Sequence, residues 1–193
     1  GIRVGELLAI SLTAALINNF VLVQFLGLCP LMGSSASLST AFPMTMATMF
    51  VITIATILTH SIYNGVLLPL DLAYLKILLF VVVIASIVQG TEIFIRYVSP
   101  LLHQVLGIYL PLITSNCAIL GVALMASNLP LHQAVAMGIG AALGFGIVLT
   151  LFASIRQHLD QNTIPLVFRG SPILLVTIGI LALAFSGFKG VLP

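Results

Sequence analysis

Charge is almost missing from this chain: six basic and four acidic side chains are spread over 193 residues, 5% of the sequence, where a soluble domain carries about 25%. So few charges cannot build a surface that meets water, and this excludes a soluble globular fold. The net charge is only +2 and the basic residues are scattered, so there is no electropositive face for a nucleic acid. No acidic run, low-complexity tail or linker divides the chain, and a single membrane domain over residues 1–193 is expected. Cysteine is also scarce, with two residues, which excludes the disulfide framework of a small secreted domain. The first apolar run follows Arg3 without an Ala-x-Ala-type cleavage site and is followed by further runs, so it reads as a retained span. Long polar connections are lacking as well. The longest, about 157–171, cannot house a nucleotide domain, and no Ser-Gly-Ala-Thr-like flavin attachment segment occurs. Gly138 and Gly140 lie inside an apolar run with no strand before them, which rules out a dinucleotide loop.

What is present is long apolar sequence. A hydrocarbon core of about 30 Å takes about 20 apolar residues per helix, and six stretches qualify: 7–25, 41–58, 73–95, 101–125, 134–155 and 172–188. Breakers mark the connections: 34–40, Tyr63-Asn64-Gly65 with Pro69, Ser99-Pro100, 128–130, and Gly170-Ser171-Pro172. In the last, Ser171 is expected at the helix cap with Pro172 in the first turn. Ala136, Gly140 and Gly144 form a small-residue stripe at four-residue spacing, which lets helix backbones approach closely in lipid. The expected fold is an all-α integral membrane protein whose six transmembrane helices divide into two sets of three, about 5–95 and 101–190. Three is odd, so the second set enters from the opposite side and the two form an inverted repeat. The excess of Arg96, Arg156 and Arg169 over Arg3 and Lys189 places both termini outside the cytoplasm.

The polarity that remains gathers around the two cysteines. Asn18-Asn19 precedes Gln24 and Gly27-Leu28-Cys29-Pro30, ending at Gly33. Pro111 precedes Thr114-Ser115-Asn116-Cys117, ending at Gly121. Each stretch opens one set of three and repeats Cys-x-x-x-Gly. A straight helix from Glu6 would carry Cys29 about 34 Å, to the far surface, and one from Leu101 would carry Cys117 about 24 Å. For both sulfurs to lie at mid-membrane, the first helix at least must break. Broken backbone is tolerated there only when buried in protein or facing water. Asn19, Gln24, Thr114 and Asn116 are candidates to satisfy the freed groups.

Several chemistries remain open for these residues. Two buried cysteines can be small hydrophobes, or thiolate ligands of a metal, for which two are too few because an iron–sulfur cluster takes four. A [2Fe–2S] cluster held two and two by a pair of similar subunits meets that count. A secondary transporter is another reading, since inverted repeats with broken helices are common there. The histidines His60, His103, His132 and His158 fall at span ends and are expected at the surface; facing pairs would be a haem alternative. Glu92 is an intramembrane carboxylate with Arg96 one turn on, which favours a structural pair. Asp71 and Lys76 are expected at an interface, the lysine snorkelling.

The stretches Asn18 to Pro30, Leu106 to Leu124 and Phe168-Arg169-Gly170 resemble the A-type subunits of the bacterial Rnf complex, and the similarity runs nearly end to end. The related E-type component of the sodium-pumping NADH:quinone oxidoreductase, with its D-type counterpart, shares the layout and is the alternative. The resemblance implies a protein of the bacterial inner membrane. It would pair with the homologous E-type Rnf protein in inverted orientation and share an intramembrane [2Fe–2S] cluster to which Cys29 and Cys117 contribute two iron ligands. It also implies a complex with the B, C, D and G components of Rnf that moves electrons between ferredoxin and NAD and couples this to Na⁺ or H⁺. FMN, riboflavin and further clusters would then lie on other subunits. The first loop departs from many relatives, reading Gly33-Ser34-Ser35-Ala36-Ser37 in place of lysines.

Overall fold

A chain with so few charges can enter lipid only as structure that satisfies its own backbone, and every element among the described residues is helical. The computed structural model describes residues 3–159 and 163–191; the middle of the 157–171 connection, at 160–162, lies outside them. The first part of the chain forms α1 (Val4–Leu12), continued by a wide turn to Ile17, then α2 (Phe20–Val23), α3 (Leu28–Ser34), α4 (Leu38–Ile62) and α5 (Lys76–Val98). The rest forms α6 (Pro100–Leu106), α7 (Leu110–Thr114), α8 (Cys117–Ala126), α9 (Leu131–His158) and α10 (Ser171–Ser186). Four helical stretches, built on α4, α5, α9 and α10, are long and apolar enough to cross a membrane. They cover the stretches expected at 41–58, 73–95, 134–155 and 172–188 and mostly extend beyond them.

The other two expected spans are broken. The first stops at Ile17, about 21 Å from Val4 at the helical rise, short of a hydrocarbon core. The fourth is split, with Pro100–Leu106 and Leu110–Ala126 bent by 67°. Three boundaries differ from expectation. Residues 34–40 are not all connection, because α3 runs to Ser34 and α4 starts at Leu38. Asn64-Gly65 does not stop its helix. The Asn64 amide donates to the His60 carbonyl at 3.0 Å, and the chain winds on to Leu67. The residue that caps α10 is Gly170, at φ 88° and ψ −129°, with Ser171 already helical and Pro172 in the first turn. A side chain would strain that left-handed backbone.

Helix α9 is the centre of the molecule, and its small residues decide how close its neighbours come. On one face, Ser11 Oγ of α1 donates to the Ala136 carbonyl at 3.0 Å, and the backbone of Ser11 lies directly on Gly140. A Cβ at Gly144 would stand 2.7 Å from the Ala15 carbonyl oxygen. On the other face Gly138 receives Thr56, and Gly146 receives Thr45 and Met49, all of α4. The early part of α9 therefore meets the late part of α4, so the two run antiparallel. Without a hydrophobic drive between helices in lipid, such close backbone packing supplies the attraction. Helices α5 and α10 pack at the edge and turn Ile77, Leu78, Ile180 and Leu183 outward, as lipid-facing surfaces do.

Gly144→Val should therefore cost about 1–3 kcal/mol through overpacking, read as a lowered Tm of the detergent-solubilised protein. Gly179→Ala, at a helical glycine with nothing within 4 Å of a new Cβ, should leave Tm unchanged or raise it.

Candidate functional site

The cysteines sit where two short helices meet end to end. Helix α3 is 7 residues long, about 10 Å, and residues 35–37 link its end directly to the start of α4. Helix α8 is 10 residues long, about 15 Å. The turn after it lies at the other end of α4, where His60 Nε2 donates to the Leu129 carbonyl at 2.7 Å. Since α4 has 25 residues, about 37 Å, α3 and α8 approach from opposite ends of it. Their amino-terminal ends meet between. Cys29 lies in the first turn of α3 and Cys117 is the first residue of α8. An anion placed at such ends meets the positive pole of the peptide dipoles.

The contact between the two motifs is direct. The Gly27 N–H donates to Cys117 Sγ at 3.0 Å. Gly27 has φ 82°, and a Cβ there would stand 3.0 Å from Asn116 Oδ1, 3.1 Å from Ala118 Cβ and 3.2 Å from the Phe145 ring. Both the backbone turn and the close approach therefore call for glycine. The repeated Cys-x-x-x-Gly acquires a meaning too. Gly33 faces Leu112 of α7, with 3.0 Å to a built Cβ, and Gly121 faces Leu26 of the break before α3, with 2.8 Å. Each motif's glycine makes room for a leucine of the other.

Asparagines close both breaks. Asn19 caps α2 by accepting the Val21 N–H at 3.0 Å and donates to the Ala15 carbonyl at 2.9 Å, which the wide turn leaves open. Asn116 caps α8 by accepting the Ala118 N–H at 3.0 Å. Thr114 donates to the Leu110 carbonyl at 3.3 Å. Of the four residues expected to serve the freed backbone, Thr114 and Gln24 do not: the Leu110 carbonyl lies inside α7, and Gln24 is exposed and, with Thr13 and Asn18, lines a cleft of about 420 Å³ beside the first break.

Both cysteines are free thiols and both are exposed on this chain, so neither is buried in the chain's own core. Among the described residues no three His, Cys, Asp or Glu side chains gather closely enough to hold a metal ion. What this chain brings together is two cysteine motifs, joined by the Gly27 N–H on Cys117 Sγ, each with an exposed thiol. The histidines lie apart from that pair. His132 and His158 are exposed as expected, but His60 is buried, held by the Leu129 carbonyl because α8 ends against it. Glu92 and Arg96 form their one-turn ion pair at 3.4 Å. Lys76 stands 4.3 Å over the Tyr63 ring and 3.4 Å from Asn128 Oδ1.

The profile of a family described as "Rnf-Nqr subunit, membrane protein" matches residues 7–192. The chain belongs to the Rnf-Nqr family. The A-type component of the ion-translocating oxidoreductase complex of Alkalilimnicola ehrlichii is 52% identical over 187 residues, covering 96% of this chain and 97% of the relative. Proteins of the same name from Pasteurella multocida and Pseudomonas aeruginosa are 51% and 50% identical over similar spans. The resemblance carried by the cysteine motifs is thus a family relation over nearly the whole chain, and the membrane location follows from the Rnf-Nqr description and the long apolar helices.

One residue that holds this Rnf-Nqr site escaped the sequence. Arg156, near the end of α9, donates through Nη1 to the Met32 carbonyl and to Ser35 Oγ, both at 2.8 Å. It anchors the carboxyl end of α3, the helix that carries Cys29. Its sequence signal, an arginine in the last turn of a span, looks the same as a loop charge. Arg156→Gln should cost about 1.5–3 kcal/mol, the range for hydrogen bonds to a charged group. Maleimide labelling of Cys29 in membranes should quicken while that of Cys117 stays unchanged.

Proposed function

We propose that this chain is the A-type membrane component of an ion-translocating oxidoreductase complex, and that Cys29 and Cys117 supply two of the four thiolate ligands of a [2Fe–2S] cluster shared with a homologous protein. The observation that carries this reading is the Gly27 N–H reaching Cys117 Sγ at 3.0 Å while both thiols are exposed. The donor set fits such a group. Two free thiols stand in adjacent motifs at the amino ends of opposed helices, one already accepts an N–H, and two ligands is half of what a cluster takes. When bound, the cluster supplies a one-electron carrier inside the membrane.

The chain's own residues do the holding. Gly27 and Arg156 fix the two helix ends, and the leucines seated on Gly33 and Gly121 lock one motif against the other. The exposed polar groups at the breaks, Asn18, Gln24, Thr114 and Ser115, are costly against lipid. A second subunit lying over this face covers them and completes the ligand set. In this reading the partner is the E-type Rnf protein in inverted orientation, and the chain crosses the inner membrane six times as an inverted repeat. Its α1–α3 and α6–α8 segments are the two interrupted spans and both termini are periplasmic. Electrons pass between ferredoxin and NAD through the remaining B, C, D and G components, which carry the nucleotide and flavin sites, and the complex moves Na⁺ or H⁺. Support comes from the relatives' shared name and the end-to-end similarity.

The purified pair of membrane proteins should contain two irons and two inorganic sulfides and give a [2Fe–2S] signal on reduction. Cys29→Ser and Cys117→Ser should each abolish that signal while leaving the chain in the membrane. Either variant keeping the full signal and electron transfer would remove that cysteine from the ligand set.

A further inference from the structure

A buried hydrogen-bond donor beside Cys117 has no acceptor in this chain. Asn116 is 3% exposed. Its Oδ1 takes the Ala118 N–H at 3.0 Å, and its Nδ2 is buried without a partner. Turning the amide over does not help, because the Ala118 N–H then loses its acceptor. The matching residue at the other break is satisfied on both sides: Asn19 Oδ1 accepts from Val21 and Asn19 Nδ2 donates to Ala15. The same residue type makes the same cap twice, and only the copy next to Cys117 leaves its donor over. Leaving such a group unpaired costs about 1–3 kcal/mol.

The other partnerless polar atoms are less constrained. Thr45 and Thr48 are helical hydroxyls, free to rotate toward the carbonyl one turn back, and His103 Nδ1 belongs to a ring that is only half-buried and in one tautomer has no proton to place. The Asn116 amide is fixed by its cap and packed against Gly27. Nδ2 is enclosed by the chain, so the acceptor it lacks must lie in the site itself, and the Cys117 sulfur on the next residue becomes one when its thiol ionises on ligation. Thiolate and sulfide sulfurs are such acceptors, and hydrogen bonds to them set the cluster's potential.

We propose that Asn116 Nδ2 donates a hydrogen bond to a sulfur of the cluster's ligand set, making Asn116 a positioning residue that, with the Gly27 N–H, eases reduction of the cluster. The inference rests on the shared-cluster reading of Cys29 and Cys117. Two substitutions separate the donor from the cap. Asn116→Ser keeps a neutral capping oxygen, since serine caps nearly as well as asparagine, and Asn116→Asp keeps the shape and removes the donor.

The test uses the intact complex grown with ¹⁵N-asparagine. Pulsed EPR of the reduced cluster should detect coupling to an asparagine side-chain nitrogen, absent in both variants. The reduction equilibrium should fall at least tenfold in Asn116→Asp, about 59 mV for one electron, with a smaller shift of the same sign in Asn116→Ser. A wild-type cluster signal with no asparagine coupling, or wild-type potentials in both variants, overturns the inference and leaves the cluster standing. Absence of any [2Fe–2S] signal in the wild-type complex overturns the cluster reading and this inference with it.

Discussion

One hydrogen bond, from the Gly27 amide to the Cys117 sulfur at 3.0 Å, ties together two segments that enter the molecule from opposite ends. Both helices must stop short for it to form. A continuous first helix would carry Cys29 past the meeting point, and a continuous fourth would carry Cys117 beyond Gly27. The breaks at 18–19, 24–27, 107–109 and 115–116 are therefore a requirement of the site. Each break exposes backbone that lipid does not tolerate. The asparagine caps answer part of that demand from within the chain.

The remainder of the fold holds this meeting point rigid. Helix α9 lies under both motifs: Gly144 admits Ala15 and Asn19, Phe145 packs beneath Gly27, and Arg156 ties down the far end of α3. Antiparallel to it, α4 spans the distance between the outer ends of α3 and α8. A displacement of α9 by even a methyl group is transmitted to both breaks, because tightly packed interiors pass strain on rather than absorb it. The small residues of α9 matter here for geometry more than for flexibility.

Much of this was legible in the sequence. The apolar runs marked the four continuous helices, the stripe at Ala136, Gly140 and Gly144 marked a close helix contact, and arithmetic from Glu6 to Cys29 required an interruption. The Glu92–Arg96 pair followed from its spacing. What sequence could not give was partnership at long range. Nothing local joins Gly27 to Cys117, Gly33 to Leu112 or Arg156 to Met32, since each contact links segments about eighty residues or more apart. Boundaries failed for a related reason. Asn64-Gly65 looks like a stop, but a side chain bonding one turn back keeps the helix going. His60 looks like a surface residue, yet the turn after α8 closes over it.

The central claim is that two thiols, each at the start of a short helix, are presented as a pair to a neighbouring protein of the complex. An experimental density map of the whole complex tests it most directly. The account predicts continuous density from Cys29 and Cys117 through a two-iron core to two sulfurs of the adjoining chain, with Gly27 still against Cys117. Cysteines opening onto lipid, or an interface on another face with no metal between the chains, would contradict it.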